Sequence, residues 1–246
     1  MVTAAHVVEP ILPGARDSYI NLGQFYDNAR LEKRRSALNE LTGRYKNAYK
    51  YAYNYLAAAG ALKAISTDRA SDEIIGDAVN NCLSILPVSA ADYGEKRRCF
   101  IDAFCGDGRL SLLKNFENWN ILTINASETD GSRVLGILSN TLADNSFNTF
   151  IAYSPFATDL IRHLIIPCHK FVFTLERIPE CTCVAAISYS NNSAKQICQH
   201  DNLILCAKEM LAAAKSAHDA LEEVYNPCVD FTAIQAEARK HINAIL

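Results

Sequence analysis

The chain has 246 residues, 50% of them hydrophobic and 21% charged, a composition that excludes intrinsic disorder. Its formal net charge of −3 gives no bulk attraction to nucleic acid or anionic lipid, and no apolar run approaches the roughly 20 residues needed to span a bilayer. Residues Met1-Val2-Thr3-Ala4-Ala5-His6 lack a basic segment ahead of an apolar core, and nine cysteines with no export signal point to reduced thiols in a cytoplasm.

Three zones follow in chain order. The first opens with the apolar stretch His6-Val7-Val8 and a loop holding Pro10, Pro13 and Gly14. From Asn28, the residues Leu31, Leu38, Leu41, Tyr45, Ala48, Ala52, Tyr55 and Ala59 recur at helical spacing, up to Gly60 and drifting on to Ile65. A second helix is predicted over 71–86, stopped by Pro87.

The middle zone alternates. Residues 98–104 read as a strand, 109–116 as a short helix and 119–124 as a strand. Val134, Leu135, Leu138 and Leu142 give 131–143 helical spacing, after a polar turn over 125–130. Residues 147–153 read as a strand, 157–166 as a short helix, and 170–176 and 183–189 as strands. Such alternation predicts an α/β fold, a mainly parallel sheet with helices on its faces.

The last zone is helical. Leu203, Cys206, Met210, Ala214, Ala217, Leu221 and Val224 form a stripe that Pro227 breaks. Asp230 can cap the next helix, and Thr232 with Gln235 has capping-box spacing, so a long antiparallel helical hairpin is expected. No Gly/Ser linker separates the zones, so they are expected to form one body with projecting helices.

Five constellations carry candidate chemistry. Asp102-Ala103-Phe104-Cys105-Gly106-Asp107-Gly108 places an acid near a strand end before G-x-G, as in the cofactor loop of S-adenosylmethionine-dependent methyltransferases. Asp102, Gly106 and Gly108 would then contact the cofactor. An acid after the next strand arrives only at Glu128.

The second is the turn Asn125 to Arg133, placed where a phosphate loop would sit. Of the residues that wrap and charge-match a phosphate, only Gly131 fits the frame. Ser132 stands at the lysine position and Arg133 at the hydroxyl position, while Glu128 and Asp130 add negative charge. Read alone, the segment is an ordinary strand-to-helix turn.

The third is the hydrophobic strand ending in Glu176, the form of an acid that holds Mg²⁺. The fourth groups His163, Cys168, His169, Cys181 and Cys183, but without a C-x₂-C pair. These cysteines read as core packing residues and no metal is expected. In the fifth, Tyr45, Tyr49, Tyr51, Tyr53 and Tyr55 flank Lys46 and Lys50, a pattern that suits single-stranded nucleic acid. Their helical spacing instead favours a two-sided helix-packing surface.

Several short segments, in order, carry a resemblance. They are Ala5-His6-Val7-Val8-Glu9-Pro10, Leu12-Pro13-Gly14-Ala15, Ile20-Asn21-Leu22-Gly23, Tyr53-Asn54-Tyr55-Leu56-Ala57-Ala58-Ala59 and Ile161-Arg162-His163-Leu164-Ile165-Ile166-Pro167. The C-terminal pieces are 212–217, His218-Asp219, Leu221-Glu222, Tyr225-Asn226-Pro227 and Val229-Asp230-Phe231. Together the chain resembles a little-characterised bacterial family of tandem P-loop ATPase-like proteins, each module carrying a helical hairpin.

The resemblance implies three parts: 1–91 as the helical remainder of a first module whose P-loop is not in the chain, 92–192 as an α/β P-loop-like core, and 193–246 as the closing helical hairpin. The second phosphate loop falls on Ala126 to Arg133, with Gly131 alone matching and Ser132 and Arg133 in place of lysine and hydroxyl. Glu176 would be the Mg²⁺ acid, without the family's Thr-Ala-Pro-His turn beside it.

The expectation is a degenerate, non-hydrolysing relative that binds a protein partner, or itself, through its long helices, with no membrane or nucleic acid. ATP with Mg²⁺ is the alternative ligand, and S-adenosylmethionine the ligand of the methyltransferase reading.

Overall fold

A computed structural model describes residues 20–64, 69–87, 93–188 and 194–245. The segment containing His6-Val7-Val8 and the loop after it lies outside the described residues, as do Ile65 and Tyr189. The helices are α1 (Asn28–Lys33), α2 (Arg35–Ala64), α3 (Asp72–Leu83), α4 (Glu128–Asp144), α5 (Ala194–Tyr225) and α6 (Phe231–Ile245). The strands are β1 (Lys96–Cys99), β2 (Asp102–Cys105), β3 (Gly108–Ser111), β4 (Asn120–Asn125), β5 (Thr149–Tyr153), β6 (Ile161–Ile166), β7 (Phe171–Thr174) and β8 (Thr182–Ala186). Two units form, Met1–Tyr45 with Ser216–Leu246, and Lys46–Lys215.

The larger unit is α/β. Its six-stranded sheet has the order β1-β5-β6-β7-β4-β8. Every strand but β6 runs in one direction, so the sheet is mainly parallel as expected. Alternating side chains give the sheet two distinct faces. On one, α3 contributes Ile75, Val79 and Cys82 and α4 contributes Val134, Leu135, Leu138 and Leu142 against Leu122, Ile124, Ile151, Leu164, Ile166 and Phe173. On the other, Ala152, Ile165 and Val172 meet Ile101 and Leu113, with Phe116 and Trp119 beside them in an edge-to-face pair.

Local chemistry explains where the helices start. The Ser71 hydroxyl accepts the Ile74 N–H, and Asp72 and Glu73 face the positive end of α3. Ser127 caps α4 in the same way through Asp130 N–H. At α6 the cap is Asp230, which accepts the Ala233 N–H. That one bond corrects the Thr232–Gln235 box, because Thr232 already lies inside the helix.

Two predicted helices are strands. Residues 109–116 form β3 followed by the 3₁₀ turn Leu113–Phe116, and 157–166 contains β6. In β6, three isoleucines in six residues favour extended backbone, and the run is too short for a stable helix. The strand expected over 98–104 is two strands, β1 and β2, broken at Phe100 and Ile101.

In α2 the buried positions are Ala52, Leu56, Ala59 and Gly60, and in α5 Ala207, Leu211, Ala214 and Ala217. Tyr51 and Tyr53 point outward, so the tyrosines flank the buried stripe instead of forming it. Tyr49 and Tyr53 stack at 6.0 Å. In the smaller unit, Arg30 donates to Pro227 O, Arg34 to Val224 O, Asp27 N–H to Cys228 O and Asp230 N–H to Phe25 O. Among the described residues, no helix is long and apolar enough to cross a membrane.

Candidate functional site

β2 and β3 form an antiparallel hairpin, with Asp102 opposite Ser111 and Cys105 opposite Gly108. Its turn is Gly106-Asp107, and Gly108 takes a φ of 120°, which a side chain would strain. A cofactor glycine loop joins a strand to a helix. Here both flanks are strands, so Asp102, Gly106 and Gly108 lack the context of the methyltransferase reading.

Asp102 instead points into the sheet face that carries His163 and Thr174. These two are cross-strand partners in the antiparallel β6–β7 pair, so their side chains lie side by side. His163 Nε2 is 2.9 Å from Asp102 Oδ2, and His163 Nδ1 is 2.9 Å from Thr174 Oγ1. The Glu176 N–H donates to the same Thr174 oxygen at 2.9 Å. The Asp102 carboxylate can only accept, so Nε2–H donates to it, and in the neutral ring Nδ1 accepts from the Thr174 hydroxyl.

Two guanidinium groups complete the cluster. Arg109 Nη2 lies 2.8 Å from Asp102 Oδ2 and also pairs with Glu176. Arg162 Nε is 3.2 Å from Asp102, and its Nη1 donates to Glu128 at 2.9 Å. Burial raises the Asp102 carboxyl, but the hydrogen bonds of His163 and Ser111 and the Arg109 charge outweigh it. The carboxyl sits well below the usual carboxylate range. Arg109 loses basicity to burial and regains more from Glu176 and Asp102, so it stays charged.

The Asp102–His163–Thr174 line has the connectivity of an acid, a base and a hydroxyl nucleophile. Its geometry forbids that chemistry at rest, because His163 and Thr174 are both 0% exposed. Asp102, His163 and Glu176 also present ligand atoms within 4.8 Å of one another, the one such group among the described residues. Arg109 already places its positive charge between the two carboxylates. Of the five residues weighed for zinc, His163 alone belongs to this group. The core-packing reading of the cysteines is corrected at Cys168 and Cys183, which are exposed, while Cys82 and Cys228 are the buried ones.

The residues matched to a phosphate loop lie elsewhere. Only Ala126 and Ser127 separate β4 from α4, so Gly131, Ser132 and Arg133 are already helical. A Cβ on Gly131 would lie 2.5 Å from a Leu175 methyl, so that space is filled from the sheet. The Ser132 hydroxyl accepts the Ile161 N–H at 2.9 Å. Arg133 donates to Ala70 O at 2.9 Å and pairs with Asp72 at 2.6 Å and Asp130 at 3.2 Å. Glu176 follows β7, which runs parallel beside β4, so it shares a sheet end with this turn.

His163, Thr174, Arg109 and Arg162 escaped the sequence reading as a cluster. Gly106-Asp107 between two short alternating runs is a hairpin signal that would have placed Arg109 opposite Phe104. No local signal joins residue 102 to residue 163. Comparison with protein-family models, curated proteins and solved structures gives no match.

Proposed function

We propose that the chain is a degenerate P-loop ATPase-like protein that does not hydrolyse nucleotide and acts by binding a protein partner through its long helices. The observation that carries this reading is the use of Gly131, Ser132 and Arg133. The first is filled by Leu175, the second bonded to Ile161, and the third tied to Ala70 and Asp72. Phosphoryl transfer needs cations free to follow the phosphates and an acid free to hold Mg²⁺. Arg109 pairs with Glu176, the acid in question, and supplies the charge a metal would bring. The outward side chains of Tyr51 and Tyr53 on α2, and of Ile197 and Leu205 on α5, offer apolar contact area to a partner.

Calorimetry and thermal shift with ATP and Mg²⁺ test the reading. No binding heat that depends on Ser132 and an unchanged melting temperature are expected. Micromolar ATP binding abolished by Ser132→Ala, or ATP turnover abolished by Glu176→Gln, overturns it.

A further inference from the structure

On the α4 face of the sheet, beyond the helix, the edge strand β1 and its neighbour β5 leave a groove of about 430 Å³. Its apolar wall is Gly136, Ile151, Tyr153 and Ile161, and its polar groups are Lys96, Arg98, Ser139 and Asn140. Strand alternation explains the placement. Lys96 and Arg98 are two apart on β1, and Arg98 pairs in register with Ile151, so both cations stand on the side of α4.

Four observations mark the groove as a binding site. Among the described residues no carboxylate lines it, and two positive charges face it. Arg98 has no carboxylate partner among the described residues and rests over the Tyr153 ring at 5.6 Å. Lys96 donates one proton to Asn140 Oδ1 at 2.9 Å, leaving two donors. The Ser139 hydroxyl is the independent sign. Ser139 is 1% exposed, and its oxygen has no hydrogen-bond partner among the described residues. A buried hydroxyl left unpaired costs about 1–3 kcal/mol, a cost that a ligand oxygen at the groove wall removes.

We propose that this groove binds a small phosphomonoester with an apolar body. Two cations, a hydroxyl and an amide match the several oxygens of a dianionic phosphate better than a single carboxylate. The volume lies in the range of small-molecule pockets, well above what the phosphoryl group fills. The remainder, walled by Ile151, Ile161 and Tyr153, takes the organic part.

Calorimetry of the full chain with phenyl phosphate tests it, with inorganic phosphate, benzoate and phenol as comparisons. Saturable binding of phenyl phosphate below about 1 mM is expected, with inorganic phosphate and benzoate weaker and phenol silent. The Lys96→Met/Arg98→Met double variant weakens binding by about tenfold or more, and Ser139→Ala by about threefold. Both cations are exposed, so circular dichroism of the double variant stays that of the parent. Absence of saturable phenyl phosphate binding overturns the proposal, as does binding that ignores all three substitutions. Equal affinity for benzoate overturns the phosphate assignment. ATP binding that is lost in the double variant but kept in Ser132→Ala belongs to this groove and leaves the reading of the α4 turn intact.

Discussion

Arg109 binds Glu176 across two separate sheets. The arginine stands on β3 of the hairpin, and the glutamate follows β7 of the six-stranded sheet. The same guanidinium nitrogen reaches Asp102 on the neighbouring strand, 2.8 Å away. One side chain thus fastens the hairpin to the sheet and occupies both carboxylates.

The two halves of that link differ in burial, so their removal should differ in cost. The Asp102 side chain is 0% exposed, whereas Glu176 is 28% exposed. Arg109→Met strips a buried carboxylate of one cation and is expected to cost about 2–3 kcal/mol, while Glu176→Gln costs about 1 kcal/mol. Urea unfolding curves measure both. Equal, negligible losses would show that the hairpin is not held this way.

Asp102 also sets an acid limit. Its carboxyl is lowered in the folded chain, so it binds fewer protons than in the unfolded one. Its contribution is therefore complete above the unfolded value of about 3.9 and is lost as pH falls toward the folded value. Stability measured from about pH 6 to pH 2 should fall at the acid end, and Asp102→Asn should flatten that part of the slope. An unchanged slope in the variant would refute the assignment.

Thiol reactivity should follow burial. Burial pushes the Cys82 thiol up to about 12, and Cys82 is fully enclosed between α3 and the sheet. Brief iodoacetamide treatment followed by peptide mass spectrometry should label Cys105, Cys183 and Cys198, which are exposed, and leave Cys82 unmodified. Labelling of Cys82 at the rate of Cys183 would place that helix elsewhere.

Arg133 should act as a brace between helices. Its pair with Asp72 adds little, because that carboxylate is 98% exposed. The bonds to Ala70 O and to the nearly enclosed Asp130 carry the effect. Arg133→Ala is expected to cost about 1–2 kcal/mol and to speed amide hydrogen exchange at the start of α3. Hydrogen-exchange mass spectrometry over residues 69–76 reads this directly, and unchanged exchange there contradicts the brace.

Much of the fold was legible along the chain. Val134, Leu135, Leu138 and Leu142 announced α4 because a helix buries every third or fourth residue, and all four are buried against the sheet. Ile121-Leu122-Thr123-Ile124 and Phe171-Val172-Phe173 announced β4 and β7 as short, mostly apolar, β-branched and aromatic runs. Ile161–Ile166 reads as part of a short helix from sequence and is a strand in the fold, because a short, mostly buried run has no period that separates the two.

The amino-acid order by itself determined the α/β class, the long helices and the absence of a lysine from the turn before α4. Those depend on neighbours a few residues apart. Only the tertiary structure decided that Asp102 meets His163, that Arg109 occupies Glu176, and that Lys96, Arg98 and Ser139 share one groove. Each of these joins elements that are distant in sequence. Sheet order and strand register bring them together, and no local periodicity encodes either.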